Sequence, residues 1–142
     1  MPDDNKQPNW QPISQLPTLS AMTKGILENT ENQYHTFLEI VDKPHVLDDA
    51  TVHRAQRLYR TQLETVDLYD QQAERWLQDQ LTPQQRQAVE TMLAQTSRIR
   101  DLSQKILELL ADIEKGTIDR IMAKSDLEVG LEFLLRNQRK KE

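Results

Sequence analysis

The chain has 142 residues, a length typical of one domain, and a formal net charge of −5 at pH 7. An acidic chain lacks the positive field that wrapping nucleic acid requires, so we do not expect nucleic acid to be the main partner. Hydrophobic residues make up 37% of the chain, below the roughly 45–50% that is usual in globular domains. This indicates a thin core, either in an elongated helical protein or in one that completes its core with a second subunit.

Cysteine is absent, which excludes disulfides, thiolate catalysis and thiolate zinc sites and fits a reducing compartment. The opening residues, MPDDNKQPNW, lack the basic stretch followed by an apolar run that marks a secretory signal. The longest apolar stretch is also too short to cross a bilayer. We therefore expect a cytoplasmic protein without a transmembrane segment.

Residues 1–17 are rich in proline, with Pro2, Pro8, Pro12 and Pro17. Because proline fixes φ and removes a backbone donor, this predicts an extended or disordered arm, followed by a single helical-bundle domain at residues 18–142. Three apolar side chains are candidates for attaching the arm to the bundle or to a second subunit: Trp10, Ile13 and Leu16. A disordered leader is the alternative.

Apolar residues recur at steps of three and four from Leu19 to Val41, which predicts a long first helix. Pro44 ends this helix, because the residue before a proline avoids the α region. Gly25 lies inside the helix and would lower its stability, so we interpret it as a place where another backbone approaches closely.

The stretch DKPHVLDDATVHR, residues 42–54, contains two of the three histidines of the chain. We interpret this stretch as the hinge between the first and second helices. Asp48 is the predicted N-cap of the second helix, with Leu47 and Val52 at the spacing of a hydrophobic staple. The second helix is predicted to run to about Gln80, with a seam of heptad spacing that is typical of a coiled coil.

The third helix is predicted to begin at Thr82, because LTPQQ combines an N-cap threonine, Pro83 in the first turn and Gln85 in a capping box. It ends near Gly116, which we predict in the left-handed conformation. Its apolar stripe is wide enough to contact two neighbours. We therefore expect a homodimer, because one thin bundle would not cover this stripe.

The last segment is less regular. A short amphipathic helix is predicted after Gly116, and SDLE, with Ser125 and Glu128 as a capping box, predicts the start of a further helix. The end of the chain, LEFLLRNQRKKE, is apolar and then basic. We expect it to dock on the bundle or on a second subunit, and binding to a membrane surface is the alternative.

These elements predict an all-α fold, an antiparallel bundle of three long helices with a C-terminal helical extension. The tight connection at Thr82 sets the register between the second and third helices. Polar residues of the two seams should then meet in matched layers, Tyr69 with Thr96 and Gln62 with Ser103, because buried polar groups need partners.

The histidines near the hinge raise the hypothesis of a metal site. His35 and Glu39 are four residues apart on the first helix, and Asp49 and His53 are four apart on the second, so each pair shares a helix face. Imidazole and carboxylate groups together suit a metal such as zinc or iron(II). The alternative is a plain hinge, since helix capping already accounts for Asp49 and its neighbours.

A second candidate is an anion- or partner-binding patch formed by Lys43, Arg54, Arg57 and Arg60. Guanidinium groups match the geometry of phosphate and carboxylate. A solvated helix face is the commoner explanation of such a pattern.

The sequence contains no Gly-x-Ser-x-Gly turn and no glycine-rich phosphate loop, and we expect neither enzymatic activity nor a cofactor. The leading hypothesis is a non-enzymatic helical protein-interaction protein, either an adaptor or an assembly protein. The alternatives are a metal-binding helical protein and a regulator with a local anion- or nucleic-acid-binding patch.

Overall fold

The computed structural model describes residues 8–141, with the side chains of 8–124 and 126–136. Residues 1–7 of the predicted arm lie outside the described residues. Four α-helices follow in order: α1 (Leu16–Ile40), α2 (Asp49–Leu77), α3 (Pro83–Glu114) and α4 (Ile118–Lys141). Short 3-10 turns occupy Ile13–Gln15 and Pro44–Val46. Within the described range there is no strand, and the predicted all-α class is confirmed.

The α3 helix is the central element of the bundle, because it packs against both α1 and α2. Its apolar stripe is therefore covered by two neighbours from the same chain. The homodimer was expected because one thin bundle would not cover this stripe. That argument is wrong, since α1 and α2 of the same chain cover it. The buried residues of α3 are Val89, Met92, Thr96, Ile99, Leu102, Ser103, Ile106, Leu110 and Ile113.

The core contains two apolar clusters, one toward each end of the bundle, and Val66, Ile99 and Leu102 are also buried. The cluster beside the hinge joins all three long helices, with Phe37, Val52, Tyr59, Ile106, Leu110 and Ile113. The ring of Phe37 meets that of Tyr59 edge to face, with the centroids 6.3 Å apart. The cluster at the opposite end contains Leu16, Ala73, Trp76, Val89 and Met92.

The N-caps predicted at Asp48 and Thr82 are confirmed. The Asp48 carboxylate accepts a 2.8 Å hydrogen bond from the backbone N–H of Thr51. The hydrogen bonds from Thr51 hold the pKa of Asp48 below its ordinary value. At Thr82, the hydroxyl accepts from the Gln85 N–H and the Gln85 side chain accepts from the Thr82 N–H, which completes the capping box. These caps fix where α2 and α3 begin.

A polar layer crosses the middle of the bundle at Gln62, as predicted. Its side-chain Nε2 donates to Ser103 Oγ at 2.9 Å and to Thr30 Oγ1 at 3.0 Å, so one amide links α2 to both α3 and α1. The other predicted pair, Tyr69 with Thr96, is replaced by a different contact. The Thr96 hydroxyl donates to the carboxylate of Asp70, the residue that follows Tyr69.

Several local predictions are wrong. Helix α1 begins at Leu16, two residues before the predicted start of the helical domain at residue 18, because Pro17 is tolerated in a first turn. A Cβ built on Gly25 would meet nothing within 4 Å, so no backbone approaches there. Among the described residues no glycine has a positive φ, and Gly116 is therefore not left-handed. Since α4 is one continuous helix, Ser125 does not begin a new one.

The reason for glycine at position 116 is close contact with the hinge. A Cβ at this position would lie 2.6 Å from the Cγ of Pro44. The contact places the end of α3 and the start of α4 directly against the hinge. Over residues 8–141, no helix is both long enough and apolar enough to cross a membrane.

Candidate functional site

His53, one of the candidate metal ligands, does not lie among free ligands. His53 Nε2 is 2.9 Å from Glu114 Oε1, and the other Glu114 oxygen accepts from Gln56 at 3.3 Å. Asp49 accepts a 2.6 Å hydrogen bond from the Thr117 hydroxyl and pairs with Arg120 at 3.6 Å. Both candidate ligands of α2 therefore hold the ends of α3 and α4 in place.

The candidate ligands of α1 are separate from this cluster. His35 and Glu39 are exposed, and the ring of His35 lies beside that of Tyr34, with the centroids 5.9 Å apart. Nowhere in the described part of the chain do three or more His, Asp or Glu side chains meet in an arrangement that could hold a metal ion. The structure thus does not gather His35, Glu39, Asp49 and His53 into one site.

Sequence reasoning missed the residues that fasten α4 to the hinge. The backbone N–H of Ile118 donates to the Leu47 carbonyl at 2.9 Å, and the Asp49 N–H donates to the Asp119 carboxylate at 2.7 Å. These partners are about 70 residues apart in the chain, and no local pattern marks them. Together with Thr117 and Arg120, they define where α4 leaves the bundle.

The pKa of Glu114 lies below its ordinary value of 4.5, first because of the hydrogen bond with His53 and then because of that with Gln56. A carboxyl group whose pKa is lowered by folding stabilises the folded state when it is ionised. This contribution is present above the ordinary pKa and is lost as the pH falls through the lowered one. Protonation of Glu114 therefore lowers the stability of the bundle in acid.

We expect Glu114→Gln to reduce the acid sensitivity of the fold. Between about pH 5 and about pH 3, the variant should lose less free energy of unfolding than the wild-type protein, because the amide does not titrate. Urea unfolding at the two pH values measures the difference. Glu90→Gln, on an exposed position of α3, is the matched control. If the two variants lose equal amounts of stability, the effect of Glu114 is refuted.

The predicted arginine patch is partly assembled. Arg54, Arg57 and Arg60 line an open cleft of about 530 Å³ with His53 and Gln56, whereas Lys43 is not among the lining residues. All three arginines are exposed, and exposed charges bind an opposite charge weakly. The cleft can meet an anion, but it lacks the desolvation that would make such a contact strong.

The arm is attached to the bundle at the end remote from the hinge. The indole N–H of Trp76 donates to the Gln11 carbonyl at 3.0 Å, and the Gln11 N–H donates to the buried Gln72 side chain. The guanidinium of Arg75 lies 4.6 Å from the centre of the Trp10 ring, a cation–π contact. Trp10 is one of the residues predicted to attach the arm, and Trp10 and Gln11 contact the last turns of α2.

The α4 helix differs from the rest of the molecule in its exposure. Every side chain that is described in α4 is exposed. Most of the large apolar side chains that are exposed belong to this helix: Ile118, Ile121, Met122, Leu127, Val129, Leu131, Phe133, Leu134 and Leu135. Large exposed apolar surfaces mark sites that are covered by a partner.

Helical spacing places eight of these nine residues in two stripes on opposite sides of α4, and Ile121 lies between the stripes. We call the first the valine stripe, with Ile118, Met122, Val129 and Phe133. We call the second the leucine stripe, with Leu127, Leu131, Leu134 and Leu135. Most of the stability of a helix in a protein comes from packing of its apolar face, and neither stripe of α4 is packed against the bundle. The candidate functional site is therefore the surface of α4.

No protein-family model, curated protein or solved structure matches this chain.

Proposed function

We propose that this protein is a non-enzymatic helical protein-interaction protein of the cytoplasm, an adaptor or assembly protein that docks through α4. The observation that carries the proposal is the exposure of α4. Phe133 and Leu134 are 63% and 60% exposed although they lie within a regular helix. An interface core of large apolar side chains is the usual source of binding energy between proteins.

The leucine stripe is the part of α4 that suits a protein partner best. Leu127 and Leu131 are 66% and 53% exposed and, with Leu134, follow steps of four and three. This spacing is the one by which a helix inserts an apolar face into the groove of a partner. The three-helix bundle then acts as the scaffold, and the hinge contacts of Asp49 and Thr117 hold the base of α4.

The two alternative functions have less support. A metal-binding protein needs ligands that converge, whereas His53 and Asp49 are each engaged by side chains of α3, α4 or the segment between them. A regulator that binds anions would rely on Arg54, Arg57 and Arg60, which lie on an exposed face of α2. Neither function would account for the exposed apolar side chains of α4.

The test of the proposal is a comparison of two variants as affinity baits in extracts of the native cell. We expect Leu131→Lys/Leu134→Lys to lose proteins that the wild-type chain retains, because a charged side chain cannot enter an apolar groove without a large desolvation cost. Leu58→Lys/Leu68→Lys, which changes two exposed leucines of α2, should retain them. If both double variants retain the same proteins as the wild-type chain, docking through α4 is wrong.

A further inference from the structure

The cleft on the first turns of α2 is positively charged, although the protein as a whole is acidic. We call it the arginine cleft. The described residues that line it are Ala50, His53, Gln56 and the three arginines Arg54, Arg57 and Arg60, and none of them is an acid. By contrast, residues 1–117 contain 18 acids and 12 cations. The charge of the cleft therefore differs in sign from that of the bundle around it.

The three guanidinium groups of the cleft are available to a ligand. Within the part of the chain whose side chains are described, none of them forms an ion pair with an acid. Their one side-chain hydrogen bond among these residues runs from Arg54 to the Thr51 hydroxyl at 3.3 Å. Arg100 and Arg120, in contrast, are both paired with aspartates. An anion that enters the cleft therefore does not have to displace a carboxylate first.

We infer that the arginine cleft binds a ligand with several adjacent phosphate groups, of the oligophosphate class. Guanidinium groups match the geometry of phosphate oxygens. Each exposed contact is weak by itself, so one anionic group is held poorly, whereas a ligand that meets all three arginines gains three contacts. Arg54 and Arg60 are six residues apart, which is about 9 Å along the helix at 1.5 Å per residue. An oligophosphate carries negative charge on each unit along such a length.

The size of the cleft favours a small ligand over a long polyanion. Its volume of about 530 Å³ lies in the range of about 300–1,000 Å³ that is usual for small-molecule sites. Charges of one sign that line a cleft also concentrate their field within it. A long polyanion such as double-stranded DNA would extend beyond the cleft onto the acidic bundle, which repels it. The cleft shares no lining residue with α4, so it is a binding surface beyond the proposed function.

Isothermal titration calorimetry of the full chain with sodium tripolyphosphate tests the inference. The wild-type chain should bind at about 20 mM salt and about tenfold more weakly at about 200 mM salt, because salt screens exposed charges. Arg54→Gln/Arg57→Gln/Arg60→Gln, the cleft variant, should bind about tenfold or more weakly than the wild-type chain at the lower salt concentration, because it loses all three contacts.

The matched control removes three exposed cations from other parts of the bundle. Lys24→Gln/Arg86→Gln/Arg98→Gln changes the net charge by the same amount as the cleft variant. It should bind tripolyphosphate within about threefold of the wild-type chain, since the charges in the cleft are unchanged. Equal losses in the two triple variants would show that net charge holds the ligand, and would overturn the inference.

A soluble oligophosphate and a polyphosphorylated lipid headgroup share this chemistry. Co-sedimentation with phosphatidylcholine vesicles that contain phosphatidylinositol bisphosphate distinguishes the two sources. Binding to tripolyphosphate alone identifies a soluble ligand, and vesicle binding that the cleft variant loses and the control keeps identifies a headgroup. A wild-type chain that binds neither probe at about 1 mM overturns the inference. Because α4 is unchanged in these variants, the leucine-stripe baits test the proposed function separately.

Discussion

Ile106→Ala is expected to lower the free energy of unfolding by about 2–5 kcal/mol, because it leaves a cavity where the three long helices meet. Ile106 is fully buried in α3, in one cluster with Phe37 of α1 and Tyr59 of α2. Two neighbouring helices would have to move together to close the cavity. Urea unfolding followed by circular dichroism at 222 nm, the standard helical signal, measures the loss.

The control for this prediction is Leu58→Ala, which removes as many carbon atoms from an exposed position. Leu58 precedes the buried Tyr59 on α2 and is 58% exposed. Its replacement should change the free energy of unfolding by about 0.5 kcal/mol or less. Equal losses in the two variants would contradict the placement of α3 at the centre of the bundle.

Gly116→Ala and Gly25→Ala are expected to change stability in opposite directions. At Gly116 the added methyl group would lie 2.6 Å from the Pro44 ring, which forces the hinge and α3 apart and should cost about 1–3 kcal/mol. At Gly25 the added methyl group meets nothing, and we expect a gain of about 0.5–1 kcal/mol from the higher helix propensity of alanine. Both values come from urea unfolding of the full chain.

A double variant separates contact with the hinge from a local effect on the backbone. If the proline ring is the obstacle, Pro44→Ala/Gly116→Ala should be more stable than the sum of the two single changes predicts. A coupling energy of at least about 0.5 kcal/mol is expected for side chains in direct contact. A strictly additive result would show that Pro44 is not what requires glycine at position 116.

The bundle could be predicted from the sequence because its signals are local. Thr82 and Asp48 cap their helices through residues only three positions away, and the stripes that they introduce have a regular period. The tight connection after α2 then fixed the pairing of Gln62 with Ser103. The identity of the residue opposite Thr96 was less predictable, since Asp70 and Tyr69 are neighbours and only the geometry decides between them.

The candidate site was less predictable for a different reason. Leu127, Leu131 and Leu134 have the spacing of a buried helix, and nothing in their order shows that the bundle leaves them exposed. Whether an apolar stripe is covered depends on how many faces the other helices offer. The sequence also suggests Asp49 and His53 as metal ligands. In the structure these two residues instead hold the end of α3 and the start of α4 in place.

The arm and the base of α4 lie at opposite ends of α2. Trp76, which holds the arm, is close to the end of this helix, and Asp49, which holds α4, is its first residue. The 29 residues of α2 correspond to a rod of about 44 Å at 1.5 Å per residue. Molecules that bind near Trp10 and near Asp119 would therefore be kept at a fixed spacing and would not obstruct one another. The bundle has the proportions of a rigid spacer between two attachment points.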